Sequence, residues 1–176
     1  MENMSKEDDK KFYAKLIAFV VIFAAAMVIF LINFKLMRST SESMEPTIMV
    51  GDYGVMYKHA YDKYNCPKNG DIIVFDFHGE TGGKRVIGIP GDTISFKDGY
   101  VYRNGKKLKE DYLPSNDTET ICYREFKVPD NSVFVMGDNR EISYDSRAWG
   151  DPYIPYSHIK GKILFVLPTH YLFSGE

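Results

Sequence analysis

The chain has 176 residues, with 22 basic and 24 acidic side chains and a formal net charge of −2. That length holds one domain with a real core plus an appendage. The balanced charge and the lack of a basic stripe exclude a nucleic-acid binder, and the 15% aromatic content excludes a disordered chain. Cys66 and Cys122 are too few for a disulfide framework, and neither stands in a metal-ligand spacing, so no metal and no cofactor is expected.

The first element is Leu16–Phe34, "LIAFVVIFAAAMVIFLINF", nineteen residues without a charge and with Asn33 as the only polar side chain. As a helix it would be roughly 28 Å long, close to the ~30 Å hydrocarbon core of a bilayer. The apolar part of a cleaved signal peptide is shorter, about 7–15 residues. The "KLMRS" that follows offers no small-residue cleavage site, and a core helix would show a polar face. Lys6, Lys10, Lys11 and Lys15 precede the segment, against Lys35 and Arg38 after it. By the positive-inside rule, residues 1–15 are a cytoplasmic tail, 16–34 a single transmembrane helix and 35–176 an extracytoplasmic domain.

"STSESMEPTIMVGDYG" (39–54) comes next. Its clustered hydroxyls suit either a Ser/Thr linker or a nucleophile beside the membrane. The apolar "IMVGDYGVM" suits either a rim touching the membrane or a buried strand. Four Gly-Asp pairs, at 51–52, 70–71, 91–92 and 137–138, predict turns in which the aspartate caps neighbouring amides. "DIIVFDF" (71–77) predicts a buried strand, "GETGG" (79–83) a flexible loop, and "KRVIGIPGD" (84–92) a further strand. "DTISF" and "YVYR" flank a hairpin turn at Lys97-Asp98-Gly99, and "NG" at 104–105 turns the chain again. Residues 110–125 read as an exposed insertion, while "SVFVMGDN" (132–139) and "KILFVLP" (162–168) read as strands. Beyond residue 40 a helical period is absent, save a short turn near Tyr153–Lys160. The expected class is mainly β: one compact domain of short antiparallel sheets behind a single N-terminal helix.

A serine hydroxyl needs a base within hydrogen-bond reach. His59, His78, His158 and His170 are scattered and read as ordinary loop or surface residues. The other solution is a neutral lysine amine, which requires apolar surroundings. Lys84 opens "KRVIGIPG" and on a strand would share its face with Val86, with Arg85 on the other. Composition leaves it between a solvated strand-end lysine and a base. "GDNREISYDSRAWG" (137–150) couples Asp138 with Arg140 and Asp145 with Arg147, around Ser143 and Ser146. It suits a polar surface loop or a hydrogen-bonded support for a site assembled from separate segments.

The motifs S-x-S-M-E-P-T, K-R-V-I-G-I-P-G-D and G-D-N-R-E-x-S-x-D-S-R-x-x-G, in this order behind an N-terminal anchor, resemble bacterial signal peptidase I. These are membrane-bound Ser/Lys proteases that remove signal peptides from exported preproteins. The resemblance runs from the helix to about Pro168, and the single anchor resembles the short enzymes of Gram-positive bacteria. It implies Ser43 as nucleophile, Lys84 as general base, and an oxyanion hole made by the Ser41 hydroxyl with the Ser43 amide. It further implies that Ser143 orients the lysine amine and that Asp145 and Arg147 form a supporting ion pair. Glu42 stands where a small residue is usual and is expected to point to solvent, since a carboxylate facing Lys84 would oppose its neutral form. Ile142 replaces a residue that is commonly asparagine.

The implied substrates are signal peptides of exported preproteins, bound extended with small side chains at the first and third positions before the cut. Membrane lipid is the second implied partner, and the cell membrane the implied location. Three alternatives are a processing peptidase for pilins or conjugation proteins, a self-cleaving repressor-type protease, and a non-catalytic anchored relative. Oligomeric state stays open.

Overall fold

The computed structural model describes residues 6–77, 79–115, 118–169 and 171. The expectations for His78, His170, residues 116–117 and the tail from 172 onward lie outside the described residues. The chain divides after Phe34 into a helical unit and a β unit.

Helix α1 covers Lys6–Asn33. It starts earlier than the apolar run, because the Lys, Glu and Ala residues before Leu16 are good helix formers. It also stops one residue before the predicted end, with Phe34 already extended. Its Asp8–Asn33 stretch is long and apolar enough to cross a membrane, and among the described residues no other helix is. Side chains all round it are exposed, Ile17 at 63% and Ile22 at 68% among them, so no protein core covers its apolar surface.

The β unit follows the predicted strands closely. In chain order they are β1 (Phe34–Arg38), β2 (Tyr53–Tyr57), β3 (Ile72–Phe77), β4 (Glu80–Gly88), β5 (Thr93–Lys97), β6 (Tyr100–Arg103), β7 (Lys106–Lys107), β8 (Phe126–Lys127), β9 (Ser132–Met136), β10 (Tyr153–Pro155) and β11 (Ile159–Leu167). Seven make one sheet in the order β1-β2-β11-β3-β4-β9-β10, and four make a smaller one in the order β7-β6-β5-β8. The pairings from β2 through β10 in the large sheet, and those of the small sheet, are antiparallel. The short turn expected near 153–160 is the 3-10 turn Tyr156–His158.

Strand β9 explains how the sheets are held. All five of its residues are buried. Val133 and Val135 join Ile73, Phe75, Val86, Trp149 and Ile154 in one cluster, while Phe134 and Met136 join Ile87, Ile94, Val101, Phe126 and Val128 in another. Alternation along a strand thus supplies two cores from one segment. Val86 and Ile87 of β4 divide the same way. Burying each such side chain contributes about 1.5–3 kcal/mol, which makes the β4–β9 pair the stable centre of the unit.

Three expectations need correction. "GETGG" is not a loop: Thr81, Gly82 and Gly83 are in β4, paired with Asp76, Phe75 and Val74, because the strand pattern of "DIIVFDF" dictates the partner's extent. Residues 110–125 are only partly an exposed insertion. Tyr123 is 97% exposed, yet Thr120 is 2% exposed and the Glu110 side chain is tucked against Arg140. A 3-10 turn at Glu42–Met44 has no counterpart in the expected elements; at three residues it is too short to show a period. The apolar run after it is mostly buried, with Ile48, Val55 and Met56 inside and Val50 exposed, but it becomes strand only from Tyr53 onward.

Three of the four Gly-Asp pairs form the same turn. Gly51, Gly70 and Gly91 have φ of 94°, 90° and 85°. Asp52, Asp71 and Asp92 each accept the amide three residues back through a side-chain oxygen, at 2.9, 3.0 and 3.0 Å. Gly137 is different. It is absent from the left-handed region, and the reason for its glycine lies in the site.

Candidate active site

Ser43 sits inside the 3-10 turn that follows β1. Ser41 is the residue capping that turn, and its Oγ accepts the Ser43 N–H at 3.2 Å, as hydroxyl caps do. The Ser41 hydroxyl also donates to Ser43 Oγ at 3.0 Å. Lys84 lies on β4 opposite Ile73, on the face of Val86, and its Nζ is hydrogen-bonded to Ser43 Oγ at 2.5 Å. The three groups form a line, Ser41–Ser43–Lys84.

Lys84 is 8% exposed. Burial pushes its amine below the ordinary lysine range, and the Arg147 cation adds to that; Asp145 and Asp138 oppose it. Such a lysine is more readily the neutral amine that can take a proton from a neighbouring hydroxyl. Glu42 is exposed, as expected, and is not among the charges acting on the amine.

The 137–150 loop surrounds this line from behind. Asn139 N–H donates to the Ser43 carbonyl at 3.1 Å. Asp145, fully buried, accepts the Gly137 amide at 2.9 Å and holds Arg147 by two hydrogen bonds of 2.8 Å. Arg147 in turn donates to the carbonyls of Arg140 and Ser143. Ser146 Oγ accepts the Val135 amide at 2.9 Å, tying the loop to β9.

Residues 11–168 match the family described as Signal peptidase, peptidase S26. The chain belongs to this family. It is 39% identical over 155 residues to signal peptidase I of Bacillus amyloliquefaciens, an alignment covering 83% of this chain and 82% of that one. Signal peptidase I S of Bacillus subtilis is 36% identical over 160 residues, 83% of each chain. The probable signal peptidase I-2 of Synechocystis is 38% identical over 131 residues, 69% of this chain and 57% of that one. The chain thus spans less than two thirds of that relative's length. A solved signal peptidase I from Enterococcus faecalis shares 31% identity at a TM-score of 0.48, over 56% of this chain and 97% of that one.

In this signal peptidase family member the residues expected to act together do converge: Ser41, Ser43 and Lys84 in one line, Asp145 and Arg147 as an ion pair behind it. Ser143 differs from what the resemblance implies. Its Oγ is buried without a hydrogen-bond partner, so its contact to the lysine amine is not made here. Asp138 and Arg140 are not a couple either. Asp138 takes Arg85 at 2.6 and 2.8 Å, and Arg140 takes Glu110 at 2.5 Å, because the loop turns Asp138 towards β4 and Arg140 towards residues 110–120.

Arg85, Glu110 and Tyr112 were not legible as site neighbours. The Tyr112 ring lies 3.9 Å from the Arg85 guanidinium and 5.9 Å from that of Arg140, and its hydroxyl donates to Glu110 at 2.7 Å. Burial and the Glu110 carboxylate push the Tyr112 hydroxyl well above the usual tyrosine range. Arg85 follows Lys84 directly, which was the one available signal. Nothing in "KKLKEDYLP" marks Glu110 or Tyr112. His59 packs beside Tyr57 and His158 beside Phe77.

Proposed function

We propose that this chain is a membrane-anchored serine endopeptidase that removes signal peptides from exported preproteins. Ser43 is the nucleophile and neutral Lys84 the general base. The observation that carries this is the hydrogen bond between a buried lysine amine and a serine hydroxyl, Lys84 Nζ to Ser43 Oγ at 2.5 Å. The signal peptidase I relatives support the substrate class.

The reaction follows from those contacts. Lys84 Nζ takes the Ser43 hydroxyl proton while Oγ bonds to the scissile carbonyl carbon. The Ser43 amide, which now donates to Ser41 Oγ, and the Ser41 hydroxyl, which now donates to Ser43 Oγ, turn to the developing oxyanion. A single such donor is typically worth about 3–4 kcal/mol. The carbon–nitrogen bond then breaks, and the lysine proton goes to the leaving amine. Lys84, neutral again, deprotonates the water that releases the acyl group. Asp145 and Arg147 support the loop behind this line, and Ser143 is the hydroxyl available to orient the amine once the substrate is seated.

The groove beside the pair favours an extended peptide. Strand β9 pairs with β4 only from Arg85 to Gly88, so among the described residues no strand covers that edge of residues 81–84. A cavity of about 350 Å³ runs between this edge and residues 37–41, with Ser41, Ser43 and Lys84 in its wall. Main-chain pairing with an open edge leaves alternate side chains in pockets, which suits selection at the first and third positions before the cut. Intact Ser43 and Lys84 argue against a non-catalytic role.

The test is incubation of the full chain in detergent with a preprotein carrying alanine at those two positions. Wild type should release the mature fragment and Ser43→Ala should not; cleavage by Ser43→Ala would overturn the assignment. The lysine bias before α1 supports an extracytoplasmic domain. A reporter active only outside the cytoplasm, fused after Glu176, should be active, and activity of a cytoplasmic reporter alone would reverse the topology.

A further inference from the structure

Lys84 borders a second large cavity that holds neither active serine. This cavity measures about 450 Å³ and shares only Gly82 and Lys84 with the groove described above. Its wall is aromatic: Phe75, Phe77, Tyr144 and Trp149, with Asp151 also lining it. A shallower depression that contains Ser43, Lys84 and Tyr144 joins the two.

The aromatic wall is built rather than incidental. Trp149 is 7% exposed and is held edge-on by Phe75 at 6.0 Å and by the tilted ring of Phe77 at 5.5 Å. Tyr144 is 69% exposed and stands edge-on to Trp149 at 6.4 Å, forming an outer wall free to meet a ligand. Gly82 lines both cavities, and a Cβ there would already lie 3.2 Å from the Phe75 ring. A side chain at this position would crowd the space between them.

Given the reaction proposed above, the chemistry assigns the two cavities to the two sides of the scissile bond. The acyl side stays bonded to Ser43 and therefore occupies the groove containing Ser41 and Ser43. The amine receives its proton from Lys84, so the leaving segment must pass on the lysine's side. We propose that the cavity formed by Phe75, Phe77, Tyr144 and Trp149 receives the residues immediately after the cut, the start of the mature chain. It takes neutral, apolar or aromatic side chains and disfavours acidic ones.

Two features set that preference. Flat aromatic walls reward apolar and aromatic side chains. A carboxylate in the cavity meets Asp151, and it also stands beside the lysine, where it favours the ammonium and slows proton abstraction. The charges already acting on Lys84 are Asp145, Arg147 and Asp138 from the 137–150 loop. Strand β3 places Ile73 opposite it, and Glu42 on the nucleophile's turn is exposed. A substrate carboxylate would therefore add to a small, defined set.

The inference rests on the peptidase activity proposed above. The experiment uses the full chain in detergent and preproteins with one signal peptide, differing only in alanine, phenylalanine or aspartate at the first two positions after the cut. Phenylalanine should be cut at least as fast as alanine. Aspartate should lower kcat/KM about tenfold, in the range of a single pocket contact, with its pH profile displaced to higher pH. Tyr144→Ala should lower kcat/KM for the phenylalanine substrate about fivefold or more relative to the alanine substrate. Asp151→Asn should recover part of the aspartate rate. Equal kcat/KM and superimposed pH profiles across the series, with wild type active, would overturn the inference while leaving the peptidase function standing. Failure of wild type to cut any member would remove the peptidase function, and the inference with it.

Discussion

A Cβ on Gly137 would lie 2.3 Å from the Ser43 carbonyl oxygen and 2.2 Å from Ser143 Oγ. The loop backbone can therefore reach the turn that carries Ser43 only if residue 137 has no side chain. Asn139 N–H to the Ser43 carbonyl and the Gly137 amide to Asp145 depend on that approach. Gly137→Ala should cost about 1–3 kcal/mol, as overpacking does, and lower kcat beyond what the lost stability explains. Urea denaturation alongside preprotein cleavage separates the two. Unchanged kcat in the folded variant would show that the loop does not set the position of Ser43.

Ser41 caps the Glu42–Met44 turn and satisfies the Ser43 amide. The proposed reaction gives it a second duty, as an oxyanion donor that acts only when the carbonyl is attacked. Ser41→Ala should cost about 1 kcal/mol of stability and lower kcat about 10²–10³-fold with little change in KM. A rise in KM alone would remove it from the oxyanion hole.

For Lys84, burial holds the folded amine below the unfolded value of 10.5. Between those two values the unfolded chain binds more protons, so stability rises with pH there; below both, the burial penalty is fully present. Lys84→Met should be inactive yet at least as stable as wild type at neutral pH, and its advantage should shrink as pH climbs towards 10.5. Wild-type kcat/KM should rise with pH through the folded value, and Lys84→Arg should be inactive because guanidinium keeps its proton. Stability curves at several pH values check the first part, and cleavage by the arginine variant would sink the second.

The Arg85–Asp138 pair has side-chain exposures of 11% and 0%. Asp138→Ala leaves the guanidinium buried without its carboxylate and should destabilise by about 3–5 kcal/mol. Tyr112→Leu, which removes the ring stacked on Arg85 and the hydroxyl bonded to Glu110 but leaves the ion pair, should cost less, about 1–2 kcal/mol. Chemical denaturation of both variants checks the order; the reverse order would make the ring, not the ion pair, the principal anchor.

The apolar helix, most strands and the Gly-Asp turns follow from short-range features: an uncharged run of bilayer length, alternation, and a glycine whose left-handed backbone lets the next aspartate fold back. The motif resemblance put Ser43 and Lys84 forward, although composition by itself favours reading Lys84 as a solvated strand end. Its burial depends on the apolar neighbours that β3 and β9 bring, the second of which is far from it in the chain.

The charges of the 137–150 loop show where local pattern stops. Asp145 and Arg147 are two residues apart, and their pairing was visible at that spacing. Asp138 and Arg140 have the same spacing, yet their partners lie 53 and 30 residues away, in Arg85 and Glu110. A nearby opposite charge wins only if the backbone turns both side chains to the same side. That turn is imposed by the packing of the loop between β4, the turn that carries Ser43 and residues 110–120. Residue types along the chain therefore decided which groups carry chemistry, because reactivity belongs to the side chain. Closure of the sheets decided which groups meet and which lose water, because contact and desolvation belong to the assembled neighbourhood.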